Sequence, residues 1–234
     1  MSGDAVDDAI EAFRQGRFVF VYDADGREEE TDFFLPAQAC QPGHVRQMRK
    51  DGGGLIFLMV GNGVASKIDL PFMADILMEA GATYDILQAF VPDDIPYDTK
   101  SSFSVTINHR RTFTGITDKD RALTIREFGL LSEQAREMGS EEAMALFGSA
   151  FRSPGHVPIC VASKQPLKDR FGHTELSVAL MMMAGLPPVA VGCEMMADDG
   201  GSLPREEARA YAERLGAPFL EGREIVERWR EWSG

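Results

Sequence analysis

Acidic side chains crowd the segment Asp23-Ala24-Asp25-Gly26-Arg27-Glu28-Glu29-Glu30-Thr31-Asp32, between two apolar runs, Phe18 to Tyr22 and Phe33 to Leu35. In an extended conformation the period of two puts Glu28, Glu30 and Asp32 on one face, with Arg27 and Glu29 pointing the other way. Like charges pinned between buried segments need a cation, raised pKa values or open water. Carboxylate oxygens are hard ligands that suit Mg²⁺, which takes one or two protein carboxylates and keeps waters or substrate oxygens for the rest. A solvated loop on an acidic protein is the ordinary alternative, and the apolar flanks weigh against it.

Two glycine-histidine turns offer further chemistry. In Ser153-Pro154-Gly155-His156-Val157 the glycine lets backbone N–H groups approach a ligand, and an imidazole there can carry a proton or bind a metal. Arg152, one residue earlier, could neutralise phosphate. Gly172-His173-Thr174-Glu175 opens a helix, so free N–H groups and the positive dipole end face whatever His173 and Glu175 face. Each turn by itself reads more often as structure: a lone histidine at a strand start, and a cap with Glu175 favoured by the dipole. Thr114-Gly115-Ile116-Thr117, followed by Asp118 and Arg121, can bind an anion or only cap a helix, and Met181-Met182-Met183 reads as core.

The elements that must position these groups follow from periodicity. Val6, Ile10 and Phe13 predict a helix capped by Ser2 or Asp4 and ended by Gly16. Strands are predicted at 18–22, 33–35, 55–60, 104–108, 157–162, 189–193 and 218–220. Helices are predicted from Pro42 to Gly52, over 71–80, from Thr117 through Ile125, over 129–151, from a Thr174 cap through Ala184, and over 204–215 and 222–232. Alternating strands and helices imply a mixed sheet covered on both faces, a three-layer α-β-α sandwich in one domain over 1–234.

A chain of 234 residues, 44% hydrophobic, is long enough to bury a full core. Its net charge of −13 repels nucleic acid and anionic lipid, so a phosphate ligand must be held locally. Cys40, Cys160 and Cys193 have no CxxC spacing and read as reduced structural thiols. No basic leader and no apolar run of membrane length is read, so the expected setting is cytoplasmic, with no membrane and no nucleic-acid partner.

The order and wording of the motifs carry a resemblance. Arg27-Glu28-x-Glu30-x-Asp32, Thr114-Gly115-Ile116-Thr117 with Asp120-Arg121, Pro154-Gly155-His156-Val157, Gly172-His173-Thr174-Glu175 and Cys193-Glu194-Met195-Met196-Ala197-Asp198-Asp199-Gly200 together resemble the 3,4-dihydroxy-2-butanone 4-phosphate synthases of riboflavin biosynthesis, in their archaeal form. The likeness runs from about Ala9 to Trp232. It implies an α-β-α homodimer with active sites near the interface, which converts ribulose 5-phosphate to formate and L-3,4-dihydroxy-2-butanone 4-phosphate with Mg²⁺, Mn²⁺ being a substitute.

Carried over motif by motif, the resemblance implies that Glu28 and His156 hold the metal and that Arg27 and Asp32 contact the sugar phosphate. Ser153, Pro154, Gly155, His156 and Val157 would line the substrate pocket. Glu175 would be the acid/base residue from the helix start, with His173 nearby and reaching the pocket, and His156 and Glu175 would be the catalytic pair of residues. The chain departs from the bacterial pattern at Ser153, where an arginine is usual, and at Val161 and Phe57. The rival readings are a metal-dependent enolising enzyme for another pentose phosphate and a non-catalytic binding homologue.

Overall fold

Asp4 opens the first helix, α1 (Ala5–Arg14), by accepting the Val6 N–H on its side chain, and Gly16, at φ 67°, turns the chain out of it. The computed structural model describes residues 4–91, 94–98 and 100–234, so Ser2, the other expected cap, lies outside the described residues. Two strands follow, β1 (Val19–Tyr22) and β2 (Thr31–Pro36). Helix α2 (Pro42–Gln47) starts on its proline and runs into one wider turn through Gly52. Next come β3 (Phe57–Val60), α3 (Asn62–Lys67), α4 (Met73–Ala80), α5 (Asp85–Ala89) and β4 (Phe103–His109).

Thr117 caps α6 (Asp118–Gln134) by accepting the Asp120 N–H. Helix α6 therefore runs beyond Ile125. The stretch expected to be helical over 129–151 divides into the end of α6, a tight turn over 135–137 and α7 (Ser140–Ala150), and Phe151 already belongs to β5 (Phe151–Val161). Helix α8 (His173–Met183) begins one residue before the expected Thr174 cap, on Gly172, which makes His173 its first residue. The chain closes with β6 (Val189–Glu194), α9 (Arg205–Leu215), β7 (Phe219–Glu221) and α10 (Gly222–Ser233).

The seven strands form one sheet in the order β4-β5-β3-β6-β2-β1-β7. It is mixed: β1 with β7 and β3 with β5 are parallel, and the other neighbours are antiparallel. Side chains alternate between the faces as a pleated strand requires. Phe20, Phe33, Leu35, Leu58 and Val60 join Ile125 and Phe128 of α6 and Ala208 and Ala212 of α9 in one core layer. Val19, Val21, Phe34, Phe57 and Met59 pack on the other side with α1, α8 and α10. Each large buried apolar side chain contributes roughly 1.5–3 kcal/mol, so both layers pin the strand register. The α-β-α sandwich with a mixed sheet is thus the architecture observed. Among the described residues no helix is long and apolar enough to cross a membrane.

Candidate active site

By alternation Asp32 shares its face with Phe34, toward α8, and Glu194 of β6 is its cross-strand partner. Two carboxyl groups thus stand opposite one another at strand ends, and α8 delivers His173 onto them. Asp32 is 1% exposed, and neither of its side-chain oxygens has a hydrogen-bond partner. Burial drives its pKa well above the usual carboxylate range, reinforced by Glu194 and Glu28 and opposed by His173. Burial also raises Glu194, although one of its oxygens accepts the Leu55 N–H at 2.7 Å. Gly54 makes that approach possible, since a Cβ there would collide with the Glu194 carboxylate.

The loop between β1 and β2 is a turn, not the extended run expected, and Asp23 shapes it. Its buried carboxylate accepts the N–H groups of Glu28 and Glu30 at 3.0 and 3.1 Å and an Arg27 guanidinium N–H at 3.2 Å. Glu29 takes the left-handed conformation at φ 58°, a backbone strain that this network holds in place. In consequence Arg27 lines the same cavity as Glu28, Glu30 and Asp32, where simple alternation would have turned it away.

The histidine ring is oriented from behind. Its Nε2–H donates to the Val21 carbonyl at 3.2 Å, leaving Nδ1 3.2 Å from a Glu28 oxygen and 3.5 Å from Asp32. Burial alone would lower the His173 pKa, but Asp32 and the Glu28 hydrogen bond outweigh it and push it up to about 9. Burial alone would likewise raise Glu28, but His173 and the Arg27 guanidinium pull it down to about 2. Asp23, Glu28 and His173 present donor atoms within 4.8 Å of one another. The Asp23 oxygens are committed to the loop, which leaves Glu28 and His173 as the donors closest together, although the Glu28 oxygen also pairs with Arg27 at 2.8 Å. Their 3.2 Å spacing compares with roughly 2.9 Å between adjacent donors of an octahedral ion with bonds of about 2.1 Å. Unpaired buried oxygens on Asp32 and the massed carboxylates around them fit a divalent cation.

The cavity, about 360 Å³, is also walled by Ile95, Tyr97, Asp98 and residues 100–103, including Lys100 and Phe103. Arg170 and Thr174 bring in the start of α8. An alternating ion-pair chain crosses one wall: Asp23 to Arg27 at 3.2 Å, Arg27 to Asp98 at 3.0 Å, Asp98 to Arg170 at 2.6 Å and Arg170 to Glu175 at 2.7 Å.

Of the residues singled out in the sequence, Arg27, Glu28, Asp32 and His173 therefore come together. Glu175 does not join them. It is fully buried, with one oxygen accepting the Ser163 N–H and the other Arg170, and it does not line the cavity. In this position its carboxylate faces Arg170, away from the cavity where the acid/base role is expected. His156 does not meet Glu28 within the chain either. Arg152 pairs with Asn108 and Val157 with Ile107, so 153–156 bulge out of the strand at the far end of β5 from Cys160, which lines the cavity. Val157 alone is three residues, about 10 Å of strand, from Cys160. His156 is exposed, its ring 3.1 Å from the Asn108 amide, Ser153 and Pro154 are exposed, and Val157 is in the core. Gly155 donates its N–H to Thr106. Glu194, Arg170, Thr174, Lys100 and Asp98 are site residues that the sequence reading left unassigned, although Glu194 stands inside the quoted Cys193-Glu194 motif.

A family model described as 3,4-dihydroxy-2-butanone 4-phosphate synthase matches residues 7–228. A 3,4-dihydroxy-2-butanone 4-phosphate synthase of Methanothermobacter thermautotrophicus is 47% identical over 228 residues, covering 97% of this chain and 96% of the relative. One of Archaeoglobus fulgidus is 46% identical over 228 residues, covering 97% and 94%. Two solved structures of 3,4-dihydroxy-2-butanone 4-phosphate synthase, one a cation free form and one in complex with two magnesium ions, superpose with a TM-score of 0.77 at 27% identity, covering 99% of both chains. The chain belongs to the 3,4-dihydroxy-2-butanone 4-phosphate synthase family, enzymes of riboflavin biosynthesis.

Proposed function

We propose that this enzyme converts D-ribulose 5-phosphate to L-3,4-dihydroxy-2-butanone 4-phosphate and formate, using Mg²⁺ or, in its place, Mn²⁺. The observation that carries the reading is the pairing of Glu28 with His173 Nδ1 at 3.2 Å beside two facing buried carboxyl groups, Asp32 and Glu194. The reaction divides a five-carbon ketose into one- and four-carbon fragments with no external oxidant, and it demands repeated proton transfers at adjacent carbons. The cavity supplies groups on both sides of neutrality for that task.

Glu28 and His173 hold the cation, which when bound polarises the carbonyl and hydroxyl oxygens of the ketose. The Val21 carbonyl keeps one proton of His173 on Nε2, so the proton that leaves when a cation binds is the one on Nδ1, and that atom then becomes the donor. Asp32 and Glu194, whose pKa values are raised by burial, hold and return protons at the sugar carbons. Arg27, Arg170, Thr174 and the N–H groups at the start of α8 receive the phosphate. A cavity of about 360 Å³ falls within the range of small-molecule sites.

The exposed turn at Ser153, Pro154, Gly155 and His156 serves this chemistry only from a second copy, which is the arrangement a homodimer allows. Three buried free thiols suit a reducing compartment, and we place the enzyme in the cytoplasm. The deciding assay follows formate from ribulose 5-phosphate and Mg²⁺ with a coupled dehydrogenase. Formate release that stops under EDTA and returns with Mg²⁺ is expected. Ketose turnover without formate would mean simple isomerisation and overturn the reading.

A further inference from the structure

Asp98 stands in the cavity wall with one carboxylate oxygen, Oδ2, accepting N–H groups from both Arg27 and Arg170 and in close contact with a third guanidinium nitrogen. Arg27 Nη2 lies at 3.0 Å, Arg170 Nε at 2.8 Å and Arg170 Nη2 at 2.6 Å. Two guanidinium forks converging on a single oxyanion are the arrangement that suits a phosphate, whose three oxygens would take the same donors with twice the charge.

Neither arginine depends on Asp98 for its position. The remaining fork of Arg27 is held by Asp23 and Glu28, at 3.2 and 2.8 Å, and that of Arg170 by Glu175 at 2.7 Å. Asp23 and Glu175 have fully buried side chains and are built into the loop after β1 and the first turn of α8. Asp98, by contrast, belongs to the described residues 94–98, which form no helix or strand, and the neighbouring Tyr97 ring lies 5.4 Å from the Arg27 guanidinium. The same group of Arg27, Tyr97, Asp98 and Arg170 lines a second cavity of about 450 Å³ as well, so this ion cluster is the partition between the site and its outer vestibule.

We propose that Asp98 is an internal stand-in for the substrate's phosphate: it holds Arg27 and Arg170 until a dianionic phosphate displaces it, and that competition selects doubly charged ligands. A monoanion offers the arginines no more charge than Asp98 does, whereas a dianion does. The internal competitor lowers the apparent affinity of every anion, by the fraction of time it holds the donors, and only a ligand with a stronger claim recovers it. This rests on the phosphate-binding part of the function proposed above and adds a specificity residue to it.

The test titrates the full chain with inorganic phosphate at a pH where the dianion dominates, by calorimetry, in wild type, Asp98→Asn and Asp98→Glu. The asparagine variant is expected to bind phosphate about tenfold more tightly and to show a lower KM for ribulose 5-phosphate. The glutamate variant should stay near wild type. Unchanged or weaker phosphate binding in Asp98→Asn would overturn the proposal and make Asp98 a brace. Asp98→Ser is read in the same way, and unfolding of both neutral variants would also overturn it, since the arginines would then need Asp98 to stay in place. Phosphate binding is read without turnover. Tightening in a chain that releases no formate would sink the reaction but keep this inference, and formate release without tightening would do the reverse.

Discussion

Nδ1 of His173, on the first turn of α8, lies 3.2 Å from the carboxylate of Glu28, 145 residues earlier in the chain. The imidazole is fixed from behind by the Val21 carbonyl, which holds Nδ1 against the carboxylate.

Replacing His173 by alanine removes one of those donors. Mg²⁺ or Mn²⁺ binding, followed by calorimetry or by the Mn²⁺ resonance signal, is expected to weaken by more than the 10–100-fold that loss of even a supporting group costs, roughly. His156→Ala should leave cation affinity unchanged while formate release falls. Loss of the cation with His156→Ala would return that residue to the metal.

The protonation of the pair sets a pH dependence. His173 rises from 6.5 to about 9 on folding, so its contribution to stability is complete below pH 6.5 and is lost as the pH climbs through 9. Glu28 falls from 4.5 to about 2, so its contribution is complete above pH 4.5 and is lost as the pH drops through 2. The metal-free chain therefore has both between pH 4.5 and 6.5. Cation binding must expel the His173 proton, so Mg²⁺ affinity should rise about tenfold per pH unit up to about pH 9, with one proton released. Titration in two buffers of different ionisation enthalpy measures that proton, and a flat profile would contradict the assignment.

Glu175→Gln tests a supporting role against a catalytic one. Its fully buried carboxylate balances Arg170, but burial outweighs that ion pair and raises its pKa, so neutralising it should shift the Tm little. Phosphate binding should weaken as Arg170 loosens, and cation binding should persist. A large loss of kcat with unchanged KM would restore Glu175 as a catalytic acid.

Glu194→Gln is expected to behave in the opposite way. Formate release should fall on the order of 10²–10⁴. Burial raises the pKa of Glu194, so the charged form is disfavoured in the fold and its removal should hold or raise the Tm at neutral pH. Gly54→Ala, which crowds the same carboxylate, should lower activity through the same atom. Full turnover in Glu194→Gln would remove it from the proton transfers.

The sequence by itself determined the layers. Alternation such as Val19, Phe20, Val21 and helical spacing such as Val6, Ile10, Phe13 are local signals, and burial of one stripe per element leaves little choice about what packs inward. It also delivered Arg27, Glu28, Asp32 and His173 as residues of interest. Tertiary structure decided which of them meet. Gly155-His156 and Gly172-His173 are the same dipeptide, but 153–156 bulge from one end of a strand while His173 begins a helix packed on the sheet. The Asp32–Glu194 pair exists because β2 and β6 are neighbours in one register, and a slip of one residue would turn either carboxyl to the opposite face. Side-chain type is written along the chain, whereas ligand geometry and pKa depend on what packing brings within a few ångströms.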